Sequence, residues 1–212
     1  MGINDEIQRK FLVKRRTQLT STIALIGICL FITLIIILHF LPTGYNPLRS
    51  PTSAYAVGKY GFLMTMAFLS MSVGSFALLM GMHKGISKKP GLGLILFGIW
   101  AIGVLIAMIF PIAPEGTAPT RSGNIHETNG PITFLSLTGA SILISAGFKR
   151  NENWRSLYRP ALALSLIMFL IFISVVINFA TGLKLEGVLQ RIYLTCFAIW
   201  FIIVALHMRR IS

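Results

Sequence analysis

Six apolar runs, each of the length needed to cross about 30 Å of hydrocarbon, leave this chain little choice of fold. They cover residues 19–41, 58 or 59 to about 82, 92–110, a run ending near 148, 161–180, and a last one ending at His207. Inside a bilayer the backbone must satisfy its own hydrogen bonds, which restricts spanning segments to helices and closed barrels, and continuous apolar runs of this length are helices. The expected fold class is therefore all-α, a six-transmembrane-helix bundle. It forms one membrane domain over residues 19–208, preceded by a basic N-terminus at 1–18 and followed by a tail at 209–212. The first run is longer than the roughly 7–15 residues of a signal-peptide core and no small-residue cleavage site follows it, so it is expected to be a retained anchor.

Composition agrees: 12% of the 212 residues are charged and 55% hydrophobic, against the roughly 25% charge of a soluble domain. A net charge of +13 in a soluble protein would suggest nucleic acid. Here the basic residues sit in the short links between apolar runs, where they set orientation, so membrane lipids are the expected partners and nucleic acid is not. The N-terminus, second link, fourth link and C-terminus hold fourteen Lys and Arg, while the opposite links hold five: Arg49, Lys59, Arg121, Lys184 and Arg191. By the positive-inside rule both termini are cytoplasmic, in a multi-pass protein of the plasma membrane, and the first, third and fifth links face outward. Cys29 and Cys196 lie within apolar runs and imply neither a disulfide framework nor a metal site.

Helix association in lipid depends on close backbone approach and a few interhelical hydrogen bonds. The expected packing faces are Ser70 with Gly74, then Gly93, Gly98 and Gly103, then Ser136 with Ala140 and Ser141 with Ser145. The link at 42–57, rich in Pro, Gly, Ser, Thr and Asn, reads as a loop without fold of its own.

The side chains capable of chemistry collect on the outward side: Arg49, Tyr55, Lys59, Glu115, Arg121, His126, Glu127, Asn178, Glu186, Gln190 and Arg191. Residues 110–131 form the longest polar interruption, beyond the usual length of a connection without structure of its own, and so are expected to cover or form a site. Asn124 with Glu127 three residues later resembles a capping box, which would start the fourth helix there and set His126 in its first turn, facing an anionic group. A start at Pro131 competes with this and would leave His126 in a loop. Arg191 would turn inward toward Glu115, Glu127 or Asn178, and Asn178 requires a partner from the outward loops.

With Glu115 or Glu127 beside it, His126 could act as general acid or base, but neither a nucleophile nor a metal-ligand spacing accompanies it. His39 with His126, and His83 with His207, could be drawn as haem axial pairs. His83 adjoins Lys84 and His207 is followed by Arg209 and Arg210, whereas haem ligands must project into a bundle core, so no cofactor and no metal are expected. The functional expectation is an outward polar site around His126, binding or processing a lipid headgroup or small amphiphile. Electron transfer with haem, or a structural or regulatory subunit without a ligand, are its rivals.

Three segments carry a resemblance: SPTSAYAVGKYGFLM at the start of the second run, FPIAPEGTAPTRSGNIHETNG after the third, and EGVLQRIY at the start of the sixth. Together they resemble the small bacterial six-helix membrane family known as domain of unknown function 998, over nearly the whole chain. The resemblance implies that the acid following Phe-Pro is Glu115, with Ala113 as a departure, that the loop histidine is His126 and that the last arginine is Arg191. It implies the architecture and the choice of loop, and no activity.

Overall fold

The structure of the chain is a computed structural model that describes residues 3–212, with the side chains of 3–7, 9–11 and 13 left out of the description. Met1, Gly2 and the side chains of Arg9 and Lys10, parts of the expected basic N-terminus, lie outside the described residues. Six helices make up the chain: α1 (Ile3–Phe40), α2 (Gly61–Gly85), α3 (Gly91–Ile109), α4 (Arg121–Phe148), α5 (Tyr158–Thr181) and α6 (Glu186–Ile211). All six are long and apolar enough to cross a membrane, and no strand occurs among the described residues. The fold is all-α with six candidate spans, as the hydropathy pattern requires.

Each helix packs on the next in sequence, and α6 returns to α1, so the six close into a ring in chain order. Alternating direction puts the links α1–α2, α3–α4 and α5–α6 at one end, called here the loop end. Both termini and the other two links lie at the opposite, terminal end.

Small residues set the helix contacts. A Cβ on Gly27 would stand 2.6 Å from the Ser70 carbonyl oxygen and 2.8 Å from Gly74 Cα, so α1 and α2 meet backbone to backbone. Gly103 lies against Thr133 of α4, and Gly93 against Leu143 and Ile144. Gly98 does not share this role: a Cβ there would meet only Leu79 Cδ2, at 3.6 Å. Polar side chains join helices where no water can serve them. Ser72 donates to the Ala101 carbonyl at 3.0 Å, Trp200 Nε1 to Ser145 Oγ at 2.9 Å, and Ser145 pairs with Ser165 at 3.2 Å. These serines fasten helices.

The terminal half is filled. Phe97, Phe197, Trp200 and Phe201 form a ring cluster of tilted, stacked and edge-on pairs, with Phe197 and Phe201 centroids 5.6 Å apart. A short 3-10 helix at Glu152–Leu157 brings Trp154 onto Phe148 with centroids 4.9 Å apart, and Trp154 Nε1 donates to the Gly85 carbonyl at 3.1 Å. Asn151 completes the seal by accepting from Lys88 N and donating to the Lys88 and Gly147 carbonyls.

The loop end differs. At 28 residues, α4 is about 42 Å long by the 1.5 Å rise per residue, more than the hydrocarbon thickness, so its polar first turns rise above the apolar part. Pro131 lies inside this helix and has no N–H for the Glu127 carbonyl. Residues on either side of the proline support the helix there: Asn129 Nδ2 ties it to α3 by donating to the Gly103 carbonyl at 2.8 Å, and within α4 Thr133 Oγ1 donates to the Asn129 carbonyl at 2.7 Å.

Candidate functional site

Arg191, in the second turn of α6, organises the loop end. Its Nε donates to His39 Nε2 at 2.7 Å, its Nη1 to the carbonyls of Pro47, Ser50 and Gly187 at 2.7–2.9 Å, and its Nη2 to the Tyr55 hydroxyl at 3.1 Å. His39 Nδ1 faces the Ile35 carbonyl at 2.7 Å, which can only accept, so the ring carries its proton on Nδ1 and receives the arginine on Nε2. Both nitrogens are thereby engaged in hydrogen bonds. The same turn of α6 holds the 42–57 link by other atoms too: Val188 N donates to the Leu48 carbonyl at 3.1 Å, and Gln190 Oε1 accepts from Thr52 N and Oγ1. Gly187 is required for this seat, since a Cβ would lie 2.4 Å from the Pro47 oxygen.

The 42–57 link is consequently folded, contrary to its composition. It contains a 3-10 helix at Thr52–Ala56 whose Tyr55 is 2% exposed. Arg191 meets neither Glu115, Glu127 nor Asn178, because carbonyl dipoles, an imidazole and a phenol take up its fork. It is a positioning residue.

Above the sealed core and inside the clamped loops lies a cavity of about 880 Å³. Trp100, Met71, Phe134 and Tyr193 belong to its deeper wall. Their polar atoms are spent internally: Trp100 Nε1 donates to Ser75 Oγ at 3.1 Å, and the Tyr193 hydroxyl bonds Thr138 Oγ1 at 2.7 Å and the Phe134 carbonyl at 3.1 Å. The floor offers rings and no free dipole. On one side α5 supplies Phe172, Val175, Val176 and Phe179. Between Met168 and Asn178 this helix has no buried residue, and Val176 and Phe179 are 51% and 69% exposed. Here α5 is a thin wall.

The mouth is polar, with Arg49, Glu115, Asn124, His126, Glu127, Glu186 and Gln190 on it. His126 is 9% exposed; its Nδ1 donates to the Phe110 carbonyl at 2.9 Å, and its Nε2 has no protein partner among the described residues. In its neutral form the ring thus presents a lone pair to the cavity. Ser50 links the clamp to the mouth, giving its carbonyl to Arg191 and its hydroxyl, at 3.4 Å, to Glu115 Oε2. Tyr45 stands beside them with its phenol pushed above the usual range, by burial first and by the Glu115 carboxylate second.

Several expectations are corrected here. The cap of α4 is Thr120, whose Oγ1 accepts from Gly123 N at 2.9 Å, so the helix starts before Asn124 and well before Pro131. His126 therefore lies beyond the first turn, and the free amides of the helix start do not surround it; the basis for an anionic ligand there is gone. The loop shrinks to residues 110–120, since Arg121 already opens the helix. Arg121 is exposed and takes no part in the cavity, and Lys59 stacks over Tyr60 at 5.4 Å instead. Asn178 accepts from Leu185 N at 2.9 Å through Oδ1, while its Nδ2 is buried without a partner. Among the described residues no three His, Cys, Asp or Glu gather as metal ligands. Tyr45, Trp100 and Asn129 were not singled out from sequence; only Asn129, a polar residue just before Gly-Pro at the top of a span, left any signal.

The model of the family described as Protein of unknown function (DUF998) matches residues 25–207 of the chain. The chain belongs to this family. The match takes in all three segments that carried the resemblance: the folded 42–57 link with the start of α2, the loop with its histidine, and the Gly187–Arg191 turn that clamps the link. The last of these is explained by architecture, since glycine and arginine there seat a loop. No curated protein and no solved structure matches the chain.

Proposed function

We propose that this multi-pass membrane protein binds an amphiphile, its head at the mouth around His126 and its tail along the apolar lower wall. The observation that carries the reading is the division of one cavity into a floor where the Trp100 and Tyr193 dipoles are internally paired and a mouth with a nine-tenths buried imidazole whose Nε2 has no partner among the described residues. A volume of about 880 Å³ falls in the range of about 300–1,000 Å³ usual for small-molecule sites. The sparsely packed stretch of α5 offers a tail a route from the lipid. Glu115 and Glu127 belong to the mouth, whereas Tyr55, Arg191 and Asn178 support it from behind.

Native mass spectrometry of protein released from a mild neutral detergent tests this. An adduct of amphiphile mass is expected on the wild type and is lost in Val176→Trp, which adds bulk to the cavity wall from a half-exposed position. The variant should keep its abundance. An adduct that survives the substitution, or wild type without any, defeats the reading.

Both termini are assigned to the cytoplasm and the cavity mouth to the outer face of the plasma membrane, on the fourteen-to-five basic asymmetry. After replacement of Cys29 and Cys196, a cysteine at Thr117 is expected to react with an impermeant thiol reagent in intact cells, and cysteines at Ser87 and Asn153 to be shielded. The reverse pattern would invert the assignment.

No haem is assigned: His39 has both nitrogens engaged, and His207 Nε2 donates to the Asn153 carbonyl. Purified protein should show no Soret band, and a stoichiometric one would restore the electron-transfer reading.

A further inference from the structure

The chain has only six acidic residues against nineteen Lys and Arg, yet three of the six, Glu115, Glu127 and Glu186, line this one cavity, where Arg49 is the single basic residue. Glu127 and Glu186 have no hydrogen-bond partner among the described residues. His126 adds a lone pair rather than a donor, because Nδ1 is committed to Phe110. Pro131 adds another acceptor by leaving the Glu127 carbonyl without its usual helical donor. Acceptors and negative charge thus gather at a mouth set in a protein that is elsewhere strongly basic.

We infer that the head of the bound amphiphile carries a positively charged ammonium, held by Glu115, Glu127 and Glu186 and by His126 Nε2, above a tail lying on Trp100. The inference rests on the amphiphile reading and narrows it. An ammonium presents N–H donors and positive charge to groups that only accept, so the mouth has what such a head needs. Arg49 would hold a phosphate if the ammonium belongs to a phospholipid.

Overall charge argues the other way, which makes the test sharp: a protein of net charge +13 collects anionic amphiphiles non-specifically. Full-length protein in maltoside detergent is titrated with dodecyl probes brominated at the tail end, headed by ammonium, sulfate, hydroxyl or phosphoethanolamine. Quenching of Trp100 fluorescence is read, with Trp100→Phe to identify its share. The ammonium probe is expected to quench at about tenfold lower concentration than the sulfate or the alcohol, a difference of about 1.4 kcal/mol. A combined Glu115→Gln, Glu127→Gln, Glu186→Gln variant should lose that preference and keep alcohol binding.

Phosphoethanolamine matching the ammonium probe identifies the source as an ammonium-bearing phospholipid, and a weaker response identifies a simple cationic amphiphile; both support the inference. Sulfate binding as well as ammonium, or a preference that persists in the triple variant, overturns the head assignment while the cavity reading stands. If no probe quenches Trp100, both readings fall.

Discussion

Arg191→Ala is expected to lower the unfolding midpoint of the detergent-solubilised protein by roughly 9 °C. The guanidinium is shared among three carbonyls, an imidazole and a phenol, and removing it leaves those acceptors unsatisfied around a half-buried gap. Truncating one member of such a charge-assisted network costs about 3 kcal/mol, equivalent to about 6–12 °C in a protein of this size. The loss concentrates on the 42–57 link, whose Ser50–Ala54 stretch lines the cavity, so amphiphile binding should fail with it. Arg191→Lys should recover less than half of the shift, because an ammonium is a point donor and cannot reach groups spread around a planar fork. His39→Ala should cost little more when made in the Arg191→Ala background, since the two share one interaction. A lysine variant as stable as wild type would mean that charge alone holds the loop, and full additivity with His39→Ala would mean that the network is not a unit.

What could be read in the sequence depended on whether the physics was local. Span length and apolarity are local, and each of the six apolar runs falls on a helix, although α1 begins well before its run. The helix pairing that closes the ring was also nearly implicit, since short links force neighbours in sequence to be neighbours in space. Loop structure was not legible. The 42–57 link folds because Val188, Gln190 and Arg191, far away in sequence, supply its hydrogen-bond partners and Gly187 leaves room for it, and composition cannot report a partner on another helix. The start of α4 was misjudged for a different reason: Thr120 and Asn124 are both competent caps, and the choice between them fell to the chain before the helix. Ala113 packs against Gly123 there, where a glycine Cβ would stand 2.8 Å from Ala113 Cβ. For the site, sequence named His126, Glu115, Glu127, Glu186 and Gln190, all of which line the cavity. It missed the apolar half, because Trp100, Phe134 and Val176 look like any other lipid-facing or core residue until a void is seen beside them.

Anchors at both ends of α5 explain how the helix ring keeps a cavity. An empty space of this size among helices forfeits dispersion contacts and would ordinarily be closed by larger side chains. Met64, Phe68 and Val104 already reach its wall, and the ring could close only by drawing α5 inward. Asn178 opposes that: its Oδ1 caps the α5–α6 turn at Leu185, with Gly182 in the left-handed conformation directly after the helix. The turn therefore fixes the loop end of α5 while Ser165 fixes its terminal half to Ser145, and the stretch between them spans the gap.

Gly27→Leu is expected to produce the largest loss of all, about 3 kcal/mol or more, seen as disappearance of the monodisperse peak when a fluorescent fusion is run by size exclusion in mild detergent. Neither neighbour of the new Cβ can yield, because both are backbone: the Ser70 carbonyl oxygen at 2.6 Å and Gly74 Cα at 2.8 Å. Relief requires α1 and α2 to separate, which also pulls Ala24 and Ile28 away from the core. The same geometry orders a series. At Gly74 a Cβ meets the Ala24 carbonyl oxygen and Gly27 Cα at 3.3 Å each, a contact that a shift of a few tenths of an ångström relieves, so Gly74→Ala should be mildly destabilising. At Gly98 the only neighbour is the end of Leu79, at 3.6 Å, and Gly98→Leu should leave the peak intact, with helix propensity gained over glycine. Because all three substitutions add apolar bulk to a membrane helix, a general effect of hydrophobicity or insertion would move them together. Equal losses at Gly27 and Gly98, or an unaffected Gly27→Leu, would show that α1 and α2 do not meet at this crossing.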